Sequence, residues 1–208
     1  MQLSALVDWV HRYKDAVVAR KDELTDLDRQ IGDADHGFNM ARGMQAASDK
    51  LDAAVPGTVG ELGKSVGMTL VSTVGGASGP LYGTFFLRFG TAAGAATELD
   101  AAGLAAAFRA GVEGIVGRGK AELGDKTMLD ALIPATEALE AAAAAGEPAE
   151  LALDAAAEAA ENGSQATLDI VARKGRASYL GERSAGHLDP GSVSSAMLVR
   201  TLADAAKG

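Results

Sequence analysis

"MQLSALVDWVHRYKDAV", residues 1–17, establishes the fold class, because its apolar side chains recur along one face of a helix. Leu3, Leu6, Val7 and Val10 stand at positions i, i+3, i+4 and i+7, the spacing of an amphipathic α-helix. Charged residues alternate with them, so the segment does not have the apolar run of a signal peptide. The pattern predicts a first helix that runs to about residue 29 and is broken by Gly32.

The same periodicity continues through the rest of the chain. It predicts further helices at about 37–53, 58–73, 80–95, 98–117, 126–145, 148–173 and 191–206. Glycine and proline separate them, at Pro56-Gly57, Gly75-Gly76, Gly146 with Pro148, and Pro190-Gly191. The only β-like run, residues 69–74, is too short and isolated to build a sheet. Eight helices joined mostly by short connections predict an all-α fold, a single domain over residues 1–208, arranged as an antiparallel up-and-down bundle or barrel.

Composition excludes several classes of function. Hydrophobic residues make up 48% of the chain but aromatic residues only 4%, so we expect a core of Ala, Leu, Val and Met. A net charge of -9 argues against nucleic acid as a partner, since phosphate backbones require a concentrated basic face. The absence of cysteine excludes disulfides and thiolate sites. No apolar run approaches the roughly 20 residues of a membrane span, so we expect a cytoplasmic protein.

Acidic side chains are concentrated in "LDRQIGDADHG", residues 27–37. Asp28, Asp33 and Asp35 repel one another, and Asp28 lies near a helix C-terminus, where the helix dipole disfavours negative charge. Hard oxygen ligands favour Mg²⁺ or Ca²⁺, and the spacing is not that of an EF-hand. One interpretation is magnesium held by three carboxylates against a phosphate chain. The other is a solvated acidic turn, with Asp33 as a helix cap.

Glycines dominate "STVGGASGPLYG", residues 72–83, just before a predicted helix. A glycine-rich loop that leads into a helix N-terminus presents free N–H groups to an anion, and serine or threonine hydroxyls add donors. The segment is not a P-loop, because it lacks the Gly-Lys-Ser/Thr sequence. A tight helical hairpin explains the glycines equally well.

Basic residues are concentrated at two later bends, residues 117–132 and 172–191. They are Arg118, Lys120 and Lys126 in the first, and Arg173, Lys174, Arg176 and Arg183 in the second, followed by His187 as a base, stacking group or turn residue. In an acidic protein, such clusters indicate a specific anion. Bends of an up-and-down bundle alternate between two ends, so these two and the segments near 30–37 and 74–80 are predicted to meet at one end. That combination is typical of nucleotide phosphates bridged by magnesium.

Four stretches together resemble the L-subunit family of bacterial dihydroxyacetone kinases. They are "LDRQIGDADHGFNM", "GMTLVSTVGGASGPLYGTFF", "GRGKAELGDKTMLDA" and "ARKGRASYLGERSAGHLDPGS". The resemblance implies a barrel of eight antiparallel helices with ADP or ATP bound at one end.

The resemblance also implies roles for individual residues. It assigns two Mg²⁺ ions to Asp28, Asp33 and Asp35, and gives Arg176 and these carboxylates the catalytic positions. The remaining nucleotide-binding positions that it implies are His36, Gly37, Phe38, Asn39, Ala77, Ser78, Gly119, Met128, Asp189, Pro190 and Gly191, together with Arg176.

The family divides by phosphoryl donor. In one branch ATP is consumed; in the other the L subunit holds ADP as a coenzyme, a phosphohistidine on the M subunit of the phosphotransferase system recharges it, and the phosphoryl group passes to dihydroxyacetone on the K subunit. The chain length and the sequence "GKAELGDKTM" resemble those of the second branch. The alternatives are an ATP-consuming ketose, tetritol or fatty-acid kinase domain, and a noncatalytic nucleotide- or metal-sensing module. A transcriptional regulator as a further partner stays open.

Overall fold

The computed structural model describes residues 1–208 and is all-helical, with one isolated β-bridge between Gln2 and Glu98. It contains nine α-helices: α1 (Leu3–Ala19), α2 (Lys21–Ile31), α3 (His36–Ala53), α4 (Val59–Thr73), α5 (Ser78–Ala93), α6 (Ala101–Gly119), α7 (Leu129–Ala144), α8 (Ala149–Ala166) and α9 (Pro190–Ala206). Short 3₁₀ segments occupy Thr167–Asp169 and Arg176–Ser184. None of the helices has the length and apolar character needed to cross a membrane.

Eight of these helices form a closed ring in which each packs against its neighbours. In order, α1, α3, α4, α5, α6, α7, α8 and α9 follow one another, and α9 closes the ring against α1. Short connections at alternate ends make successive helices antiparallel, as predicted. The remaining helix, α2, lies outside the ring and packs on α3 and α9.

Helix boundaries differ from the prediction in three places. The first predicted helix is interrupted at Arg20 (φ -108°, ψ 17°), which separates α1 from α2 and raises the count from eight to nine. The helix predicted to reach 173 ends at Ala166, because the chain becomes extended at Ile170. Helix α7 begins at Leu129 instead of near 126, since Lys126 takes a left-handed φ of 63°.

The core is one cluster of 47 buried residues inside the ring. Small aliphatic side chains supply most of it, as predicted, but the few aromatic residues are not spread evenly. Trp9 stacks within 5.6 Å of both Phe86 and Phe89, and Phe85 contacts Phe108 at 5.1 Å between ring centroids. Apart from Phe38 and Tyr179, which are exposed, the few aromatic residues are therefore placed in the core of the barrel, where each buries the most apolar surface.

Glycine allows helices α4 and α5 to approach until their backbones touch. A Cβ atom on Gly63 would lie 2.5 Å from the Phe86 carbonyl oxygen, and one on Gly67 would lie 2.7 Å from the Gly83 carbonyl. We call this contact the glycine seam. In α6, Gly111 also packs closely, because a Cβ there would lie 2.6 Å from the Phe85 ring. Gly117, further along the same helix, is in open space, since a Cβ there would have no atom within 4 Å.

One end of the ring gathers the chemically distinctive segments. The connections 32–35, 74–77, 120–128 and 167–189 lie there, and their residues line one shared cleft. Helices α3, α5, α7 and α9 all begin at this cleft. Since a helix N-terminus carries partial positive charge and free N–H groups, four such ends make the cleft suited to an anion.

Candidate functional site

The cleft brings together the four segments that the sequence singled out. Of the predicted site residues, it is lined by Asp28, Asp33, Asp35, His36, Ala77, Ser78, Met128, Arg176, Asp189, Pro190 and Gly191. They come from separate parts of the chain, so the predicted convergence at one end of the barrel is confirmed.

Asp28 organises the acidic part of the cleft from the last turn of α2. Its side chain is 8% exposed, and its Oδ2 accepts hydrogen bonds from the backbone N–H groups of Asp35 (2.8 Å) and His36 (3.2 Å). The carboxylate therefore caps the N-terminus of α3 from a distance of seven residues along the chain. Gly32 is required beside it, because a Cβ there would collide with Oδ1 of Asp28.

The other two carboxylates are held at Asp28 by an unusual turn. Ala34 between them has φ 61°, in the left-handed region that side chains other than glycine rarely adopt. One carboxylate oxygen from each of Asp28, Asp33 and Asp35 lies within 4.8 Å of the others. Strained backbone that gathers like charges is typical of a site whose function requires the arrangement.

Arg176 supplies the positive charge nearest to this cluster. Its guanidinium lies 3.0 Å from Asp33 Oδ2, on the rim of the cleft. Arg29, the basic residue nearest in sequence, instead pairs with Asp26 on the exposed side of α2. Because 143 positions separate Arg176 from Asp33, no local pattern in the sequence indicates that these two side chains form an ion pair.

His36 is locked between two serines behind the acidic cluster. Its Nδ1 lies 3.1 Å from Ser78 Oγ, in the glycine-rich segment, and its Nε2 lies 2.8 Å from Ser194 Oγ on α9. Burial lowers the pKa of His36 to about 4, although the carboxylate of Asp28 acts in the opposite direction. The imidazole is therefore neutral near pH 7 and has one donor and one acceptor nitrogen.

Asp189 closes the cleft on the side of α9. It is the N-cap of that helix, and its Oδ2 accepts a hydrogen bond from the Ser192 N–H at 2.6 Å. Burial raises the pKa of Asp189 to about 7, with the Ser192 N–H opposing and Asp130 reinforcing the shift. Pro190 and Gly191 follow as the first turn of α9, and both line the cleft.

A second, more apolar compartment opens beside the acidic cleft. It shares Ala77, Leu81 and Met128 with the cleft and continues to Ile115 and Gly119. The predicted positions Gly119 and Met128 thus lie away from the carboxylates but next to the glycine-rich segment. A polar compartment beside an apolar one fits a ligand with a charged end and a flat apolar end.

Three predicted positions line neither the cleft nor the apolar compartment. Gly37 is packed under α2, where a Cβ would strike the carbonyl oxygen of Lys21. Phe38 points outward, 52% exposed, with the Lys21 ammonium 5.6 Å from its ring centroid. Asn39 is buried behind Gly75, and its Oδ1 accepts a hydrogen bond from Arg42. In this structure these residues support the walls of the cleft.

Lys126 has a role that its sequence neighbourhood does not indicate. The side chain is 1% exposed, and its ammonium donates to the carbonyls of Thr167 (2.6 Å), Ile170 (3.0 Å) and His187 (2.5 Å). All three of its N–H bonds are used. Lys126 therefore fastens the 120–128 loop to the segment that carries Arg176, and does not offer its charge to an anion.

An eight-helix ring with a carboxylate cluster and a glycine-rich loop at one end defines a class of helical domain, and residues 30–204 match the family model described as the DAK2 domain. The chain belongs to this family. It is 48% identical, over 97% of its length and 96% of the relative's, to the PEP-dependent dihydroxyacetone kinase, ADP-binding subunit DhaL, of Escherichia coli (strain K12). It is 40% identical, over 97% of each chain, to the PTS-dependent dihydroxyacetone kinase, ADP-binding subunit DhaL, of Lactococcus lactis subsp. lactis (strain IL1403). The resemblance inferred from the four motifs is confirmed.

Solved structures with lower sequence identity to this chain have the same fold. The dihydroxyacetone kinase of C. freundii in its native form superimposes with a TM-score of 0.75 at 27% identity, over 96% of this chain and 34% of that chain. The same kinase in complex with AMP-PNP and Mg2+ gives a TM-score of 0.74, over 95% of this chain and 33% of that chain. The chain thus spans about a third of those kinases.

Proposed function

We propose that this chain is the ADP-binding subunit of a PEP-dependent dihydroxyacetone kinase. The single observation that carries the proposal is the position of three carboxylates within 4.8 Å of one another, at a cleft where four helices begin. Such a site combines ligands for a divalent cation with an anion seat, which is what a metal-bound nucleotide requires. The names of the relatives at 48% and 40% identity support the same activity.

The carboxylate cluster fits magnesium by its donor chemistry. Asp28, Asp33 and Asp35 would hold two Mg²⁺ ions, and Asp28 keeps its Oδ1 free because Oδ2 is engaged by backbone N–H groups. Bound magnesium supplies charge neutralisation for the transferring phosphoryl group. Arg176, on the rim of the cleft, adds a further positive charge.

We assign the phosphates of the nucleotide to the acidic cleft and its base to the apolar compartment. Ala77 and Ser78, at the N-terminus of α5, would take the phosphates, since their backbone N–H groups have no side-chain cap. Met128 and Gly119 would line the base in the apolar compartment. Asp189 and Gly191 line the acidic cleft, where Gly191 lies next to Met128, and suit contacts to the nucleoside. These contacts orient the nucleotide with its terminal phosphate toward the carboxylates.

The donor and acceptor of the phosphoryl group would be separate proteins. We assign a phosphohistidine-carrying M subunit as donor and a dihydroxyacetone-binding K subunit as acceptor, as the family resemblance implies. The words "PEP-dependent" and "PTS-dependent" in the names of the relatives support this donor. An ATP-consuming reaction is less favoured, because the D-erythrulose kinase of Mycolicibacterium smegmatis (strain ATCC 700084 / mc(2)155) is only 36% identical over 33% of its length.

The test is a transfer assay without free ATP. The purified chain, loaded with labelled ADP, is mixed with the M subunit phosphorylated on its histidine. The nucleotides that stay bound to the chain are then extracted and separated. We expect labelled ATP on the chain, and its reversion to ADP when the K subunit and dihydroxyacetone are added. Activity that requires stoichiometric free ATP, with no phosphorylation of the bound ADP, would contradict the proposal in favour of an ATP-consuming kinase.

A further inference from the structure

Behind the phosphate side of the cleft, a chain of polar side chains runs into the core of the barrel. Ser78 contacts His36, His36 contacts Ser194, and Ser194 Oγ lies 2.7 Å from the Tyr82 hydroxyl. The same Tyr82 hydroxyl lies 2.9 Å from Ser195 Oγ. We call these five residues the buried relay. It joins α3, α5 and α9, three of the helices that begin at the cleft.

The hydroxyl groups of the relay lie in the apolar core of the barrel, where a polar group needs a hydrogen-bond partner to be tolerated. Ser194 and Ser195 are 0% exposed, and Tyr82 is 1% exposed, among the aliphatic and aromatic side chains of the core. Burying hydroxyl groups in an apolar interior is unfavourable unless each finds a hydrogen-bond partner. Alanine and phenylalanine at these positions would fill the same space without that requirement. The network is therefore not explained by packing alone.

Hydrogen-bond directions decide what Ser78 offers to the cleft. Ser78 has one hydroxyl proton, and a phosphate oxygen only accepts. If His36 Nδ1 accepted that proton, Ser78 would present lone pairs to an anion, which is repulsive. If His36 Nδ1 carries its own proton and donates it to Ser78 Oγ, the Ser78 proton is free to point into the cleft. Nε2 then has to accept, and Ser194 is its one neighbour in the relay, at 2.8 Å.

The remaining members can all donate in the same sense. Ser195 Oγ has no partner apart from Tyr82, so its proton goes to the Tyr82 oxygen. Tyr82 then donates to Ser194, and Ser194 donates to His36 Nε2. Tyr82, Ser194 and His36 then each give one proton toward the cleft and receive one from the core side. The Ser194 hydroxyl also has the carbonyls of Pro190 (3.0 Å) and Gly191 (3.1 Å) within reach, and His36 Nε2, at 2.8 Å, is the nearest of its three acceptors.

We propose that Ser194 and Tyr82 are positioning residues, which hold His36 in its Nδ1–H tautomer and so aim the Ser78 hydroxyl at the nucleotide phosphates. Neither residue touches the nucleotide's charged end in this account; each acts through His36. The inference rests on the proposed function for its ligand, while the tautomer itself is a property of the free chain.

The first measurement is the ¹⁵N spectrum of the histidine rings in the free protein. The chain contains three histidines, so His36→Gln identifies the signal of interest. We expect Nδ1 to be protonated in the wild type, and Ser194→Ala to shift His36 toward the Nε2–H tautomer. An Nε2–H signal in the wild type, or a tautomer that Ser194→Ala leaves unchanged, overturns the proposal.

The second measurement is ADP affinity in saturating magnesium for a double-mutant cycle of Ser194→Ala and Ser78→Ala. Losing one oriented hydrogen bond is expected to weaken ADP binding about tenfold in either single variant. Because Ser194 acts through Ser78, adding Ser194→Ala to Ser78→Ala should weaken binding no further. Additive losses would show that Ser194 supports only the fold, and would contradict the relay. Tyr82→Phe should give a smaller loss of the same non-additive kind.

Thr201→Val is the matched control. The Thr201 hydroxyl is buried on the same helix and donates to the backbone carbonyls of Met197 (2.9 Å) and Leu198 (3.1 Å), so its loss perturbs α9 without removing a partner of any relay residue. In Thr201→Val, ADP affinity and the His36 tautomer should be unchanged, whatever the change in thermal stability. A wild type that binds no ADP would refute the proposed function. The ¹⁵N measurement of the His36 tautomer would still show whether the relay orients His36 as proposed.

Discussion

The cleft end of the barrel contains every buried aspartate, lysine and histidine, namely Asp28, His36, Asp125, Lys126 and Asp130, whereas the opposite end buries none. At that opposite end, the helix starts are capped by side chains close by in sequence. Thr58 caps α4 by accepting from the Glu61 N–H, and Asp100 caps α6 by accepting from the Gly103 N–H. Long-range contacts at the far end, such as that from the Leu3 N–H to the Thr97 carbonyl (2.8 Å), join backbone groups and bury no charged side chain.

Polar contacts at the cleft end join segments that are far apart in the chain. Lys126 reaches across 61 residues to His187, and Arg176 reaches Asp33. Such contacts need the whole barrel to be folded before they form, and they place like charges side by side. The comparison teaches that the far half and the core provide stability, while the cleft end keeps an unfavourable charge arrangement that the proposed metal-bound nucleotide would relieve.

The largest expected loss of ADP affinity comes from a substitution that disrupts only the acidic cluster. Asp28→Asn keeps an oxygen that can accept from the Asp35 and His36 N–H groups but removes the charge, so we expect the fold to persist and magnesium-dependent ADP affinity to fall on the order of 100-fold. Titration calorimetry with ADP and magnesium measures it. The control is Asp26→Asn, two residues earlier on the exposed side of α2. Equal losses in both variants would refute a special role for the cluster.

The second prediction tests whether the glycine seam, in the core of the barrel, determines stability without affecting the cleft. Gly63→Ala places a Cβ 2.5 Å from the Phe86 carbonyl in the glycine seam, so we expect a loss of about 2 kcal/mol in the free energy of unfolding. Gly117→Ala, at an open position in α6, should gain about 0.5 kcal/mol from helix propensity. Urea unfolding measures both. ADP affinity should be unchanged in each variant, and a loss of affinity in folded Gly63→Ala would undermine the division between seam and cleft.

Arg176 gives a smaller effect because it lies on the rim and its side chain is 66% exposed. We expect Arg176→Ala to slow phosphoryl transfer about tenfold, through the loss of one charge-assisted contact. The matched control is Arg183→Ala, an exposed arginine on the same 3₁₀ segment that does not line the cleft. Transfer rates with the donor protein distinguish them. A rate in Arg176→Ala equal to the wild-type rate would exclude Arg176 from the reaction.

The last prediction concerns the dependence of stability on pH. Burial raises the pKa of Asp189 to about 7, so its contribution to stability is present below its ordinary pKa and is lost as the pH rises toward 7. His36, whose pKa is lowered to about 4, has the opposite sign and loses stability as the pH falls below its ordinary value. Asp189→Asn removes the first contribution and can still cap α9. In EDTA, the stability of this variant relative to the wild type should rise between about pH 4 and pH 7, by at most about 1.4 kcal/mol per pH unit. Parallel pH profiles would contradict the assignment.

The fold could be predicted from the sequence because its determinants are periodic. Apolar spacing and the glycine or proline breaks located the eight helices of the ring, including α9 beginning at Pro190. The break at Arg20 was missed, since neither glycine nor proline marks it and the apolar pattern continues through it. The overestimated end of α8 has the same origin, because an alanine-rich pattern does not show where tertiary contacts stop a helix.

The site could be predicted only as far as residue types and local motifs extend. Clustered aspartates and glycines identify Asp28, Asp33, Asp35 and Ser78 without knowledge of the fold. Pairings across the barrel, such as Arg176 with Asp33 or His36 with Ser194, have no signature in one sequence, because they depend on how the helices close into a ring. Phe38 shows the reverse case: it adjoins the motif in sequence, and the first turn of α3 places its side chain on the outside, 52% exposed, so its role in nucleotide binding stays a prediction.

The most direct test of the magnesium–nucleotide site is native mass spectrometry of the purified chain, recorded with ADP alone, with magnesium alone and with both. The account predicts one dominant species with both present, heavier than the chain by one ADP and two magnesium ions, and little ADP retained when EDTA is added. The same species should be absent in Asp28→Asn. ADP retained equally with and without magnesium, or magnesium and ADP bound independently of each other, would contradict the account.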